Sequence, residues 1–253
     1  MHKRITGFTL IELLVVISII ALLMSMLMPA LARVRKQAKA VVCQARLRQW
    51  GAAWEMYVGD NNGYLWAWDL GWIAPLEPYY KEEKLLLCPS ATKTIVEGGR
   101  GSYIAWEEDD NLPSGKLAKG SYGPNAWTPL PDDDGQSASG GLTKWLWKTV
   151  NVKGGNNIPM LLDCGIGGAL PLMTDTPPEY DGDFYPSGEG DNFDEMRRFC
   201  VNRHEGYVNC LFLDWAVRKV GLKGLWYLKW NPVWEMDNPP VWPEWMAGIS
   251  DDH

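Results

Sequence analysis

The chain has 253 residues, enough for one large domain or two small ones. Its formal net charge is −7, which argues against a nucleic-acid-binding protein because such a protein needs a basic surface. Two of its three histidines, His2 and His253, lie at the extreme ends, so any histidine-based catalysis or metal site depends on His204.

The first predicted element is an apolar run from Phe8 to Leu31 in which Glu12 is the one charged residue. As a helix rising about 1.5 Å per residue, this run is long enough to cross a bilayer. A secretory signal peptide is one interpretation, with basic residues before the run and an A-x-A cleavage site ending at Ala32. The run is longer than the apolar region of an ordinary signal peptide, however, and such a peptide has no use for Glu12.

The residues at the start of this run resemble a known processing signature. Residues 1–7, MHKRITG, followed by residues 8–12, FTLIE, are similar to the start of type IV pilins and type II secretion pseudopilins. The resemblance implies that a prepilin peptidase cuts between Gly7 and Phe8. It also implies that the new Phe8 amine is methylated and that the apolar helix stays in the mature protein. Pro29 falls where this family commonly has a helix-bending proline.

The resemblance also gives Glu12 a role. A carboxylate within an apolar segment costs free energy unless it is paired. Cleavage after Gly7 creates an ammonium group at Phe8, one helical turn from Glu12. In a filament, Glu12 is therefore expected to neutralise the Phe8 amine of a neighbouring subunit and to fix the packing register. We expect a structural subunit, not an enzyme, that forms a type II secretion pseudopilus or a type IV pilus-like filament with other pilin-like subunits.

The resemblance implies a location as well. We expect a single-pass inner-membrane protein with its leader in the cytoplasm and its head in the periplasm, which then enters a pseudopilus or reaches the cell surface. Basic residues are more numerous after the apolar run than before it, which by itself favours the opposite orientation. The family shows similar basic residues on the exported side, so the family topology is retained.

The helix is predicted to continue to residue 58. An apolar stripe at helical spacing runs along this part, and we interpret it as a core-facing surface. The stripe consists of Cys43, Leu47, Trp50, Trp54 and Tyr57. The predicted divisions are a leader over 1–7, a transmembrane and assembly helix over 8–31, its amphipathic continuation over 32–58 and a globular head over 59–253.

The head contains short strand-like runs separated by turn residues, and it ends in a Pro- and Trp-rich tail. The clearest predicted strands are residues 158–163, 207–213 and 216–220. One long helix followed by strands indicates an α+β protein whose helix packs on an antiparallel sheet with long loops. The resemblance implies the same arrangement, a pilin-like fold.

Five cysteines leave at least one thiol unpaired within a monomer. Because the leader implies export to an oxidising compartment, disulfides are expected. One candidate pair is Cys43 with Cys88, which links the helix to the head. The other is Cys200 with Cys210, which a hairpin centred on Glu205 places opposite one another. Free buried thiols are the alternative for all five cysteines.

The sequence from residue 203 to residue 214 resembles a second signature, found in large pseudopilin-like proteins of planctomycetes, in which Asp-Gly follows nine residues after a His. Trp215 replaces that Gly here, so we expect the turn after Asp214 to be of another type. A strand over 207–213 separates His204 from Asp214, and the two therefore cannot share a metal or a proton. We expect structural roles, with His204 bonded to a loop and Asp214 shaping a turn.

The acidic loops offer candidate ligands for Ca²⁺, namely Asp181, Asp183 and Asp191. Their spacing matches no EF-hand, and solvated loops are the alternative. No other cofactor is expected. An anchored hydrolase is disfavoured because the chain has one usable His and no recognisable catalytic motif.

The many tryptophans of the head suggest an alternative function, that of a membrane-anchored glycan-binding surface module. Exposed, coplanar indole rings would favour this alternative, whereas buried rings would belong to the core. The candidates are Trp66, Trp68, Trp72, Trp106, Trp127, Trp145 and Trp147.

Overall fold

A computed structural model shows the architecture of the chain. The described residues are 10–66, 71–108, 115, 117–129, 143–184, 194–235 and 240–250. The chain divides into two compact units, Met1–Ala38 and Lys39–His253.

The first element is the α-helix α1, from Leu10 to Asp60, which confirms the prediction of one long N-terminal helix. The helix includes Pro29, whose missing N–H removes one backbone hydrogen bond. An Asn-Asn-Gly turn follows, in which Gly63 adopts a positive φ of 84° and donates its N–H to the Val58 carbonyl. Such a left-handed residue is a common way to end a helix.

Every described residue from 10 to 38 is exposed within the chain. This stretch contains a segment long and apolar enough to cross a membrane, and none of that segment is buried. Its two hydroxyl groups bond back to the helix, from Ser18 to the Val15 carbonyl (2.8 Å) and from Ser25 to the Leu22 carbonyl (2.7 Å). The serines therefore leave no hydroxyl group without a partner in an apolar environment, where an unsatisfied donor is costly.

The remainder of α1 belongs to the second unit and buries one face. The buried residues are Ala40, Cys43, Leu47, Trp50, Gly51, Ala53, Trp54 and Val58. Four of the five predicted stripe residues are among them, while Tyr57 is half-buried. Gly51 allows a close approach to the sheet, because a Cβ atom there would lie 3.1 Å from Leu211 Cδ1.

Within the described residues, the head contains six short strands in two antiparallel sheets. They are β1 (Trp106–Glu108), β2 (Ala118–Gly120), β3 (Tyr122–Pro124), β4 (Pro159–Asp163), β5 (Tyr207–Phe212) and β6 (Val217–Gly221). Strands β1 and β2 pair with each other, and the other four form a sheet of order β3-β4-β5-β6. The three predicted strands correspond to β4, β5 and β6, which confirms the α+β class.

Short 3-10 helices lie before, between and after these strands. They are Ala74–Tyr79, Glu83–Leu86, Gly101–Tyr103, Thr143–Trp145, Gly155–Asn157, Glu195–Arg198, Lys223–Tyr227 and Glu244–Met246.

The four-stranded sheet is covered on both faces. Leu161 and Leu211 belong to the same apolar cluster as the buried face of α1. Their strand neighbours Leu162 and Cys210 belong to a second cluster that includes Trp226. This alternation follows from the two-residue period of a strand. Residues at the ends of its strands therefore lie between the two apolar clusters.

The structure contradicts the hairpin that was expected to pair Cys200 with Cys210. Cys210 lies opposite Leu162 of β4 and Arg218 of β6, so both of its strand neighbours are other residues. Cys200 is not in a strand, and the chain from 203 to 206 forms bends and not an extended partner for β5. Both cysteines are buried with free thiols, and the predicted Cys200–Cys210 pairing is wrong.

The turn between β5 and β6 keeps the conformation that glycine would favour. Trp215 has a φ of 63°, so the expectation of a turn type without a left-handed residue is wrong. The Asp214 carboxylate accepts the Ala216 N–H (3.0 Å) and pairs with the Arg218 guanidinium. Asp214 therefore stabilises this turn, whereas the left-handed backbone conformation of Trp215 is strained.

Candidate functional site

The predicted processing and methylation residues, Gly7 and Phe8, lie outside the described residues. The predicted assembly residues, Glu12 and Pro29, lie on the stretch of α1 that exposes all its side chains. An exposed apolar surface of this length indicates contact with lipid or with other proteins. The roles assigned to these four residues remain predictions.

A second candidate site is a buried cluster of potential metal ligands in the head. It consists of Cys43, Cys88, Asp163 and His204, whose ligand atoms all lie within 4.8 Å of one another. Four separate segments contribute to it. Cys43 is on the buried face of α1 and Cys88 follows a 3-10 helix, whereas Asp163 ends β4 and His204 precedes β5.

The shortest contacts within this cluster join all four residues. Cys43 Sγ lies 3.7 Å from each Asp163 carboxylate oxygen. Cys88 Sγ lies 3.5 Å from His204 Nε2. The same Nε2 lies 3.2 Å from Asp163 Oδ2, and the His204 side chain is only 2% exposed. His204 Nδ1 is buried without a partner among the described residues.

Asp163 and Cys88 are held in place by hydrogen bonds from outside the cluster. Asp163 Oδ2 accepts the Asn209 N–H at 2.9 Å. The Cys88 N–H donates to Ser121 Oγ, and the Cys88 carbonyl accepts the Ala91 N–H at 2.9 Å. Asp163 is therefore positioned by a backbone N–H, and Cys88 by the Ser121 side chain and the Ala91 backbone.

The fully buried Arg203 provides a cation beside Asp163. Its Nη1 lies 3.4 Å from Asp163 Oδ1. Its remaining donors bond to backbone carbonyls of Ser102 (2.6 Å), Ile104 (2.8 Å), Cys164 (2.7 Å) and Ser121. A guanidinium fixed in this way is a rigid structural cation, because none of its nitrogens is left without an acceptor.

Burial and neighbouring charges shift the ionisation of the cluster. Burial favours the neutral form of His204, but the charge and hydrogen bond of Asp163 raise the His204 pKa to about 10. Burial raises the Cys88 pKa, but hydrogen bonds with Cys43 and His204 lower it to about 6. Burial raises the Cys43 pKa well above its usual value. The contacts among Cys88, His204 and Asp163 therefore oppose the effect of burial on the pKa values of Cys88 and His204.

The geometry does not suit nucleophilic catalysis. A Cys-His-Asp triad uses both ring nitrogens, one toward the thiolate and the other toward the carboxylate. Here Cys88 and Asp163 both approach His204 Nε2. All four residues are also buried, which denies a substrate access to the thiolate. The cluster is arranged to hold segments together.

The structure places several predicted residues in new roles. Cys43 and Cys88 lie together, as their predicted pairing requires, although both are free thiols. The His204 ring contacts the side chains of Cys88 and Asp163, and its expected bond to a loop remains a prediction. Sequence reasoning missed Asp163, for which the available signal was an acid ending an otherwise apolar predicted strand.

The candidate calcium ligands have other partners. Asp183 forms a buried ion pair with Arg197 at 3.0 Å, and Asp181 accepts the Ser102 hydroxyl. Asp191 lies outside the described residues. Because Asp181 and Asp183 are held by different groups, they do not form a set of oxygen ligands in the described part of the chain. Calcium binding remains a prediction.

Most candidate glycan-binding tryptophans belong to the core. Trp66, Trp72, Trp106 and Trp127 are buried. Trp145 and Trp147 are half-buried, and Trp145 packs against Trp127 with ring centroids 5.3 Å apart. Trp68 lies outside the described residues. The described rings therefore form no exposed coplanar platform, and the glycan-binding alternative is not favoured.

The N-terminal stretch matches known proteins. Residues 2–28 match the family model described as the prokaryotic N-terminal methylation motif. The N-terminal segment is thus similar to segments that carry this methylation motif. A curated relative, the type IV wide pilus major component PilA4 of Thermus thermophilus, is 52% identical over 62 residues, which are 24% of this chain and 47% of PilA4. The chain thus spans about half the length of this pilin relative. No solved structure matches the chain.

The apolar helix and the pilin motif together indicate a membrane-anchored protein. The family match ends at residue 28, whereas the cluster of Cys43, Cys88, Asp163 and His204 lies beyond it. The resemblance of residues 203–214 to planctomycete pseudopilin-like proteins remains a prediction.

Proposed function

We propose that this protein is a structural subunit of a type IV pilus-like filament or a type II secretion pseudopilus. The observation that carries the proposal is the methylation motif on a helix whose apolar surface is exposed from Leu10 to Leu31. Both comparisons point to a structural subunit and not to an enzyme. The exposed surface supports assembly with other pilin-like subunits, because burial of apolar area drives association.

The membrane topology follows the family pattern. The leader, residues 1–7, stays in the cytoplasm and residues 8–31 cross the inner membrane, while the head lies in the periplasm until the subunit joins a filament. The inward bonding of Ser18 and Ser25 supports a lipid-embedded state for this stretch.

Processing prepares the helix for assembly. A prepilin peptidase cleaves between Gly7 and Phe8, and the new Phe8 amine is methylated. Glu12 of one subunit then neutralises the Phe8 amine of the next. A charge pair of this kind selects one register among the many that apolar helices allow.

Mass spectrometry of the mature N-terminus tests this function. The chain is produced in a host that has a prepilin peptidase, and the N-terminal peptide of the membrane fraction is sequenced. We expect it to begin at methylated Phe8, and Gly7→Val to retain the leader. A mature chain beginning at Arg33 would instead identify a signal peptide and refute the proposal.

A further inference from the structure

The ligand atoms of Cys43, Cys88, Asp163 and His204 all lie within 4.8 Å of one another, and three of their separations match the edges of a tetrahedral metal site. A regular tetrahedron around Zn²⁺, with a Zn–S distance of about 2.3 Å and Zn–N and Zn–O distances of about 2.0 Å, has sulfur–nitrogen and sulfur–oxygen edges of about 3.5 Å and a nitrogen–oxygen edge of about 3.3 Å. The observed edges are 3.5 Å from Cys88 Sγ to His204 Nε2, 3.7 Å from Cys43 Sγ to Asp163 Oδ2 and 3.2 Å from His204 Nε2 to Asp163 Oδ2.

We propose that these four side chains bind a structural zinc ion. Two thiolates, an imidazole and a carboxylate are ligand types that zinc accepts, and softer sulfur ligands favour it over Ca²⁺ or Mg²⁺. The protein supplies all four ligands, which leaves no open position for water or substrate. The site is therefore structural, and it is independent of filament assembly.

The charges around the site suit a divalent cation. Zinc binding uses the thiolate forms of Cys43 and Cys88, which with the Asp163 carboxylate give three negative charges. The zinc ion and the Arg203 guanidinium, whose Nη1 is 3.4 Å from Asp163, balance them. A neutral set can be buried at much lower cost than an unbalanced charge. The loaded site therefore fits the fully buried position that the cluster occupies.

Neighbouring groups orient three of the proposed ligands. The Tyr122 hydroxyl donates to Cys43 Sγ at 3.2 Å, a bond that a thiolate accepts well. The Asn209 N–H and Arg203 fix the two oxygens of Asp163. The Ser121 hydroxyl accepts the Cys88 N–H. Such outer contacts are typical of protein metal sites, where they hold ligands in the binding geometry.

The ion would join α1 to the sheet and to the segments before β1 and β5. A disulfide between Cys43 and Cys88 would join two of these segments but would consume both thiolates. The two states exclude each other, because a disulfide sulfur no longer carries the charge that zinc requires. Metal content and thiol state therefore distinguish them.

The test uses the full chain purified in detergent without chelators. Zinc is measured by inductively coupled plasma mass spectrometry, and the chain is then reloaded with Co²⁺ for absorption spectroscopy. We expect one zinc per chain and the thiolate charge-transfer and d–d bands of tetrahedral cobalt. Cys88→Ser and Asp163→Asn should reduce the zinc content at least tenfold. Cys164→Ser, which replaces a buried thiol outside the cluster, should retain it.

Two results would overturn the proposal. One is wild-type protein without zinc whose mass is lower by two hydrogens and whose peptides link Cys43 to Cys88, which identifies the disulfide. The other is zinc-free protein with both thiols open to alkylation after unfolding and no cobalt spectrum, which identifies a metal-free polar cluster. Both are measured on the wild-type chain, so a variant that fails to fold does not prevent a decision.

Discussion

The apolar side chains of α1 are exposed in one stretch of the helix and buried in the other. Residues 10–38 of α1 expose every side chain, for example Leu13 at 54% and Leu27 at 65%. Residues 39–60 bury one face against the head, where Trp50 is 0% exposed. Both stretches belong to one continuous helix, so the difference lies in what covers the apolar groups.

The comparison shows that one helix can serve two environments. In residues 39–60 the apolar face is covered by the head of the same chain. Burial of this face therefore contributes to the stability of the head. The first stretch has an apolar surface that lipid or neighbouring subunits must cover. Changes in the two stretches should therefore affect different measurements.

The largest effect on head stability is expected for Trp50→Ala. Trp50 donates its Nε1–H to the Leu85 carbonyl at 2.9 Å and packs against Trp72 and Tyr80. Its loss should lower the free energy of unfolding by about 3–5 kcal/mol, because a large cavity and an unsatisfied carbonyl remain. Denaturant unfolding of the full chain in detergent, followed by tryptophan fluorescence, measures this change.

Leu13→Ala is the matched control on the exposed stretch. It should change the unfolding free energy of the head by less than about 0.5 kcal/mol. Equal losses for Leu13→Ala and Trp50→Ala would show that the two stretches are stabilised in the same way, and the comparison would fail.

The second prediction concerns a carboxyl group buried in the head. Burial, with the charges of Asp194 and Glu195, raises the pKa of Asp175 to about 7, although N–H bonds from Leu172 and Met196 oppose the shift. The folded state therefore keeps a proton that the unfolded state releases above about pH 4. Stability should fall as pH rises from about 4 to 7, by up to about 4 kcal/mol from this group.

Asp175→Asn imitates the protonated acid and keeps an acceptor for the Met196 N–H, which Asp175 binds at 2.8 Å. The variant should match the wild type near pH 4 and exceed it in melting temperature near pH 8. Thermal unfolding curves at both pH values measure the difference. Parallel curves for the two proteins at every pH would contradict a raised pKa. Because Asp175 lies in the head, Asp175→Asn should not change the yield of filaments.

The smallest expected effect concerns Trp215, whose φ of 63° is unfavourable for residues with a Cβ atom. Trp215→Gly and Trp215→Ala both lose the indole ring, so their difference isolates the backbone. The Gly variant should be more stable than the Ala variant by about 1 kcal/mol, the reverse of the usual order in regular structure. A more stable Ala variant in denaturant unfolding would contradict the left-handed conformation.

The sequence was most informative where a period repeats over many residues. The apolar run and the stripe around Trp50 predict α1 because each contains several helical turns. Strands β4 to β6 are apolar runs long enough to recognise. The three-residue strands β1, β2 and β3 escaped prediction because a segment such as Tyr122–Pro124 is too short to show alternation and contains Gly and Pro.

The buried cluster could be predicted only in part. Cys43 belongs to the stripe and His204 to a recognisable motif, but no local pattern brings either of them to Asp163. Their meeting depends on the order β3-β4-β5-β6 and on the bends before Tyr207. The false Cys200–Cys210 hairpin arose for the same reason, since strand pairing is decided by tertiary contacts and not by spacing alone.

The central claim is that the exposed N-terminal stretch assembles subunits through Glu12. Filament formation by Glu12→Ala tests it directly, with Glu55→Ala as a control for loss of an exposed acid on the same helix. Sheared filaments are quantified by electron microscopy, and the membrane fraction is measured in parallel. Glu12→Ala should remain in the membrane and form no filaments, while Glu55→Ala assembles normally. Filaments of Glu12→Ala in wild-type amounts would contradict the account.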